Sequence, residues 1–371
     1  MPERPSLRTL LLRPVPTPIL ILASATLGLY VAACLYLQPP FDVFGDAPGY
    51  LEAMRVWNGW PAPAHFTPNR LLTTFGGVTT VALLAKVTGN YLASWFFINT
   101  AYFFGLAFVT YALFRRVTGS ATAAVLGALF MVGNYDVLLF GLNYLMDLSG
   151  WFFFMLSLLG TFLYMEAHER RWLWMASLAA GIGTLFKEYA FFAFAPLGLY
   201  LIYAHLRQPK EFVRSLIPPI VSLLPMAAVH AGIYLIYGYS YLDWYGMNTS
   251  TFAWHGWVRD AVRSFLVVWS FLTPLAAIGI MAFVHEMRQD FDAKRVFFVG
   301  SLILPALAVL AWPIITERLV FLAVPLVALL AAYGIKRNAA QWPWFGFLWL
   351  LYVALSFATN GAILSVLYGR F

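Results

Sequence analysis

The stretch NRLLTTFGGVTTVALLAK, residues 69–86, decides the topology of this chain. It is apolar enough to count as a membrane-spanning helix, yet an arginine and several threonines interrupt it. At helical spacing the small and polar residues share one face: Arg70, Thr73, Thr74, Gly77 and Thr80. The larger aliphatic and aromatic residues crowd the other face. This division predicts an amphipathic helix that lies in the membrane interface and does not cross.

The composition of the whole chain indicates an integral membrane protein. Its 371 residues are 62% hydrophobic and 11% charged, with a mean hydropathy of +0.76. A soluble domain is about 45–50% apolar and about 25% charged, so this much apolar surface has no place in a water-soluble protein. We expect one transmembrane domain over residues 1–371 and no soluble domain. The net charge of +7 is spread over short loops, and no basic run is long enough to follow a nucleic-acid backbone.

Eleven other segments are predicted to be spanning helices, which typically need roughly 17–25 apolar residues. They are residues 17–37, 91–114, 119–136, 148–166, 172–186, 189–206, 215–238, 259–285, 296–313, 318–335 and 342–366. Two longer connections remain between them. The first outer loop, 38–90, contains 69–86 and a second predicted juxtamembrane helix at 47–58, and the second outer loop is 239–258.

Positive charge is concentrated in alternate loops. The clusters are Arg4/Arg8/Arg13, Arg115–Arg116, Arg170–Arg171, Arg207/Lys210/Arg214, Arg288/Lys294/Arg295 and Lys336–Arg337. If the N-terminus is cytoplasmic and 69–86 does not cross, every cluster is cytoplasmic, as the positive-inside bias requires. If 69–86 crosses, all clusters but the first fall outside. We therefore predict an all-α polytopic membrane protein of about eleven transmembrane helices, with the N-terminus inside and the C-terminus outside.

The remaining loops carry isolated acids that the predicted topology places on the outer face. Asp42 and Asp46 precede the predicted loop helix, and Asp147 opens the span at 148–166. Two interpretations are open for Asp46 and for Asp147. Either carboxylate would cap a helix N-terminus. Alternatively, it would accept a proton from a substrate hydroxyl or hold a divalent cation.

Two charged pairs lie at the outer ends of predicted spans. Lys187–Glu188 follows a 15-residue helix, about 22 Å long, which is too short for a hydrocarbon core of about 30 Å, so the pair is expected to be recessed. Recessed charges usually line a cavity; a mutual structural ion pair is the alternative. Glu317–Arg318 opens a later span, where Arg318 would bind a phosphate or snorkel to the interface. His65 in the first outer loop is a further candidate for substrate contact.

Four segments together resemble a known family. They are Phe44-Gly45-Asp46 followed by Tyr50 and Ala53; Arg115-Arg116-Val117-Thr118-Gly119 before the helix that leads to Asp147; Gly181-Ile182-Gly183-Thr184-Leu185-Phe186-Lys187-Glu188; and Glu317-Arg318 followed by the Leu/Ala-rich stretch 325–334. In this order and spacing, the chain resembles polyprenyl-phosphate-dependent glycosyltransferases of the GT-C fold. That class includes protein O-mannosyltransferases and aminoarabinose transferases.

The resemblance implies a GT-C-like bundle in a bacterial or archaeal cell membrane, with an extracytoplasmic active site. It implies a polyprenyl-phosphate-linked sugar as donor and a glycan, lipid or protein as acceptor. Asp46 and Asp147 would be catalytic, and Lys187 and Arg318 would bind the donor phosphate. The supporting residues would be Asp42, Tyr50, Glu188, Glu317 and His65. Relatives often have paired acids in the first loop, whereas Ala47 follows Asp46 here; the metal is therefore unknown and a divalent cation stays open as a cofactor.

The expected function is thus an enzyme, a membrane glycosyltransferase that transfers a sugar with inversion. The alternative is a transporter or flippase of lipid-linked sugars or other anions, which would also use recessed charges. The sequence has no evident inverted repeat of the kind many transporters have. A scaffold without activity would leave the recessed Lys187–Glu188 pair without a role.

Overall fold

The computed structural model describes residues 16–37, 46–135, 137–249, 254–269, 272–311, 317–337 and 342–368. Within these ranges the protein is helical and has no β-strand. The helices are α1 (Thr17–Leu37), α2 (Ala47–Trp57), α3 (Asn69–Thr88), α4 (Tyr91–Thr118), α5 (Ala121–Val132), α6 (Asp147–Ala167), α7 (Arg170–Phe186), α8 (Phe194–His205), α9 (Pro209–Tyr237), α10 (Tyr241–Thr249), α11 (Trp254–Trp269), α12 (Leu272–Gln289), α13 (Ala293–Ser301), α14 (Ile303–Ala308), α15 (Glu317–Val320), α16 (Val324–Arg337) and α17 (Trp342–Tyr368).

Six helices in the described ranges are long and apolar enough to cross a membrane. They are Thr17–Tyr36, Asn69–Thr88, Tyr91–Thr118, Asp147–Ala167, Pro209–Tyr237 and Arg318–Lys336. The prediction of a polytopic helical protein is confirmed at this level, but the predicted number of eleven spans is not. Several predicted spans are broken helices. The segment predicted at 189–206, for example, is a 3₁₀ turn, Glu188–Ala193, followed by α8.

Proline lies at two of these breaks. Pro196 lies in the first turn of α8, and Pro305 lies in the six-residue α14. A proline has no N–H to donate to the carbonyl four residues earlier, and it disfavours helical geometry in the residue before it. A count of apolar residues does not detect such a break, because proline interrupts the helix without making the segment polar.

Helix α3 matches the predicted extent of the segment 69–86, but its burial does not follow the predicted division into two faces. Small, polar and large apolar residues are buried alike: Leu71, Leu72, Thr73, Thr74, Gly77, Val78, Val81, Ala82 and Ala85. The reason is that α3 packs against α2, α4 and α7. A kink at Thr74, with φ −143° and ψ 34°, interrupts the helix, and the Thr74 hydroxyl donates to the Arg70 carbonyl at 2.6 Å.

Both ends of α3 contact residues near one end of the bundle. At its start, Arg70 binds Asp46, which immediately precedes α2. Further along, the Asn58 side chain at the end of α2 donates to the carbonyl of Ala82 at 3.1 Å. At its end, Thr88 and Ser94 share a hydrogen bond of 2.6 Å at the first turn of α4.

The predicted cytoplasmic clusters within the described ranges meet at the opposite end of the bundle. Glu166 is 3.7 Å from Arg116, and its carbonyl accepts from Lys294 at 3.1 Å. Glu211 is 3.9 Å from Arg170 and 2.7 Å from Arg214. Glu286 pairs with Arg295 at 3.1 Å and with Lys336 at 2.6 Å. The first cluster, Arg4/Arg8/Arg13, lies outside the described residues.

Candidate functional site

A cavity of about 230 Å³ lies at the end of the bundle away from the basic loops. Its lining residues are Asp46, Asn69, Arg70, Asp147, Lys187, Glu188, Tyr189, Trp244, Met247, Asn248, Arg318 and Leu319. Six of these side chains carry a formal charge, three carboxylates and three cations. The positive and negative charges of its described lining residues are therefore equal in number. We call this cavity the charged cavity.

Asp46 is the carboxylate that two arginines hold in the charged cavity. It occupies the N-cap position of α2, yet its side chain makes no capping hydrogen bond, so the capping interpretation is wrong. Instead, Arg70 Nη2 donates to Oδ1 at 2.6 Å, and Arg318 donates to Oδ2 from both terminal nitrogens at 3.1 Å. Burial alone would raise the pKa of Asp46. The guanidiniums of Arg70 and Arg318 and the ammonium of Lys187 outweigh burial and lower its pKa below the ordinary 3.8.

Asp147 is fully buried at the first residue of α6. Its Oδ2 accepts from Arg318 Nη1 at 3.3 Å. The Tyr189 hydroxyl donates to its backbone carbonyl at 2.8 Å and is 3.2 Å from Oδ1. Met146 is the N-cap residue of α6, so the capping interpretation of Asp147 is also wrong. Arg318 thus bridges the two predicted catalytic acids.

Arg318 points into the charged cavity, where two carboxylates bind it. Its side chain is 22% exposed and shares its donors between Asp46 and Asp147. The guanidinium carbon also lies 5.9 Å from the centroid of the Phe140 ring. The snorkelling interpretation of Arg318 is therefore wrong, because a snorkelling side chain would place its charged group in the water-facing interface.

Lys187 is buried just beyond the end of α7, where the backbone becomes extended. Its ammonium donates to the Tyr50 hydroxyl at 3.3 Å and lies 3.9 Å from Glu188 Oε2. The latter distance is too long for a hydrogen bond, so the predicted ion pair is a loose one. Gly150 makes room for this lysine, since a Cβ there would come within 2.5 Å of Lys187 Cβ.

Tyr50 connects two of the cations. It is fully buried on α2, and the Arg70 guanidinium carbon lies 5.0 Å from the centroid of its ring. Its hydroxyl accepts from Lys187. The ring also packs edge-on against Trp95, with centroids 5.6 Å apart. Buried aromatic packing of this kind fixes the position of the hydroxyl.

Most of the residues predicted for the site come together, and some do not. Asp46, Asp147, Lys187, Glu188 and Arg318 line the charged cavity, and Tyr50 contacts it through Lys187. His65 does not. Its side chain is 82% exposed and pairs with Glu52 at 3.3 Å in a separate cavity beside Trp60. Asp42 and the side chain of Glu317 lie outside the described residues.

Arg70 and Tyr189 also line the charged cavity, although no sequence motif pointed to them. One signal was available for Arg70. It lies outside the basic clusters, as Lys187 and Arg318 also do, and the predicted topology places all three on the outer side. A cation on that side goes against the positive-inside bias and therefore needs another reason to be there. Tyr189 had no comparable signal, because the chain contains 20 tyrosines.

The charged cavity does not fit the divalent cation that remained open. Among the described residues, no group of three or more His, Cys, Asp and Glu side chains is placed to hold a metal ion. Guanidinium groups occupy both oxygens of Asp46, and Arg318 and Tyr189 occupy those of Asp147. A metal would have to displace these donors from both carboxylates.

Comparison with known proteins does not assign the chain to a family. No protein-family model matches the chain, and no curated protein is significantly similar to it. The chemistry of the site therefore carries the functional assignment.

Proposed function

We propose that the protein is a membrane glycosyltransferase of the GT-C type. In this proposal it transfers a sugar from a polyprenyl phosphate to an acceptor at the extracytoplasmic face. The observation that carries the proposal is the arrangement of Arg318 between Asp46 and Asp147, with Lys187 and Arg70 beside them. A guanidinium and an ammonium in a recessed cavity suit a phosphate, and an adjacent carboxylate suits a nucleophile that must lose a proton.

The proposed reaction is one direct displacement. The acceptor oxygen or nitrogen forms a bond to the anomeric carbon while the bond from that carbon to the phosphate oxygen breaks. The bonding electron pair leaves with the polyprenyl phosphate, whose growing negative charge Arg318 and Lys187 stabilise. The acceptor proton passes to Asp46. A single displacement inverts the configuration at the anomeric carbon.

The proposed topology has the N-terminus in the cytoplasm, about eleven crossings and α3 lying along the outer face. Two sets of contacts support it. The basic loops pair with one another at one end of the bundle, which suits the cytoplasmic side. Helix α3 begins at the charged cavity, where Arg70 binds Asp46, and its far end contacts the first turn of α4.

Release of polyprenyl phosphate tests the proposal. The purified protein in detergent is incubated with polyprenyl-phosphate sugars and a membrane extract as the source of acceptor, and the released lipid phosphate is measured. We expect release by the native protein and none by Asp46→Asn, which keeps the shape of the side chain. Glu52→Gln on the outer side of α2 is the matched control and should retain activity. Transport of the lipid-linked sugar in sealed vesicles, without release in detergent, would contradict the proposal and favour the transporter.

A further inference from the structure

A second cavity of about 340 Å³ adjoins the charged cavity. Most of its wall is apolar and comes from α3, the 3₁₀ turn and α9: Leu72, Phe191, Phe192 and Met226. We call it the apolar cavity. His230 and Tyr241 complete one side, with their rings stacked at 6.0 Å. The volume is within the range of about 300–1,000 Å³ that small-molecule sites span.

Glu188 lines both cavities. Its side chain is 15% exposed, and its Oε2 atom is buried without a hydrogen-bond partner among the described residues. The nearest cation, Lys187, is 3.9 Å away and donates to Tyr50 instead. A buried carboxylate oxygen without a donor is costly. A ligand that donates a hydrogen bond at this point would remove the cost.

The charges around the two cavities indicate which head group this ligand has. Arg70, Lys187 and Arg318 all face the charged cavity, whereas Glu188 is the ionisable acid of the apolar cavity. An ionised phosphate has no hydrogen to donate to the buried Oε2 atom of Glu188, and its charge would repel the carboxylate at that point. A hydroxyl or an ammonium at the same place would donate to Glu188.

We propose that the apolar cavity binds the acceptor, and that the acceptor is an amphiphile whose hydroxyl or amino group donates to Glu188. This inference rests on the proposed function, because it takes the bound molecule to be the acceptor of the transferred sugar. The apolar part of the molecule lies against Phe191, Phe192 and Met226. Its polar head lies at the boundary between the cavities, beside the donor phosphate held by Arg318 and Lys187. Glu188 orients the acceptor group. A hydroxyl passes its proton to Asp46 as it attacks, whereas an ammonium first passes one proton to Asp46 and attacks as the free amine.

Photoaffinity labelling of the full-length protein in detergent tests the binding. Three probes carry the same diazirine- and alkyne-bearing alkyl chain and differ in the head group, which is a primary amine, a primary alcohol or a phosphate. We expect the amine and alcohol probes to label peptides around Phe191 and Met226. Met226→Trp fills the apolar cavity and should greatly reduce this labelling. Leu235→Trp, on the same helix but at a position that is 83% exposed, is the matched control and should not reduce it.

Glu188→Gln separates the head-group contact from the cavity. The amide still accepts from an alcohol but no longer forms a charged pair with an amine, so labelling by the amine probe should fall about tenfold while the alcohol probe is little changed. Unchanged amine labelling, or labelling of this cavity by the phosphate probe as strong as by the amine probe, would overturn the inference. The readout is binding alone. Absence of polyprenyl phosphate release would therefore overturn the proposed transfer without altering the labelling pattern.

Discussion

Replacing Asp46 by asparagine should strengthen the binding of a lipid phosphate while it abolishes transfer. In the structure, Asp46 accepts two hydrogen bonds from Arg318 at 3.1 Å and one from Arg70 at 2.6 Å. It therefore occupies donors that a phosphate would use. Removing this carboxylate changes the described lining of the charged cavity from balanced to an excess of one positive charge.

The size of the effect follows from this lost charge. Two unit charges about 4 Å apart interact by about 4 kcal/mol at an effective dielectric constant near 20. The Asp46 side chain is 25% exposed, so solvent screening reduces the figure to about 1–2 kcal/mol. That corresponds to about a tenfold lower Kd.

Titration calorimetry with farnesyl monophosphate in detergent measures this affinity, and farnesol serves as the ligand without phosphate. Glu52→Gln removes an acid on the same helix that faces a different cavity, so it should leave the Kd unchanged. The reasoning fails if folded Asp46→Asn binds farnesyl monophosphate no more tightly than the native protein. In that case Asp46 would be needed to hold Arg318 in place and would not compete with the phosphate.

Three further predictions follow from the geometry. The difference in phosphate affinity between the native protein and Asp46→Asn should persist as the pH is lowered to about 5 and disappear only below 3.8. The reason is that the lowered pKa of Asp46 keeps its carboxylate ionised until then. Calorimetry over a pH series measures this difference. Gly279→Ala should sharply reduce the yield of monodisperse protein in size-exclusion chromatography, since its Cβ would overlap the Leu330 carbonyl oxygen, whereas Gly300→Ala has open space and should not. In a Cys34→Ser background, Lys86→Cys should react with an impermeant maleimide outside cells and Arg171→Cys should not; the reverse pattern would mean that α3 crosses the membrane.

The acids and cations of the charged cavity could be predicted largely from the sequence. Charge is scarce in an apolar chain, so each carboxylate or cation outside the basic loops needs a local reason to be there. Asp46, Asp147, Lys187 and Arg318 were all identified in this way, and the structure brings them to one cavity. Their pairing was not predictable, because it depends on how four separate segments approach one another.

The predictions that the structure does not bear out have local physical causes. The predicted polar face of α3 already accounted for Arg70, so nothing in the sequence indicated a partner for it. In the structure, Arg70 makes the shortest contact to Asp46. The eleven predicted spans came from counting apolar residues, and Pro196 and Pro305 break helices inside such segments. The position of Asp46 before α2 is typical of a helix cap. Two guanidinium groups, however, bind a carboxylate more strongly than a free N–H does.

Among the residues that the structure describes, the charged cavity has equal numbers of acids and bases, and this bears on how a ligand reaches it. Opposite charges a few ångströms apart cancel at a distance, so the cavity projects little field into the surrounding water. Ions in solution are not drawn toward it, and the association rate of a charged ligand should depend only weakly on ionic strength. An anion gains from Arg318 and Lys187 on contact alone. Such a site favours a ligand that is already concentrated in two dimensions by the bilayer and arrives by lateral diffusion.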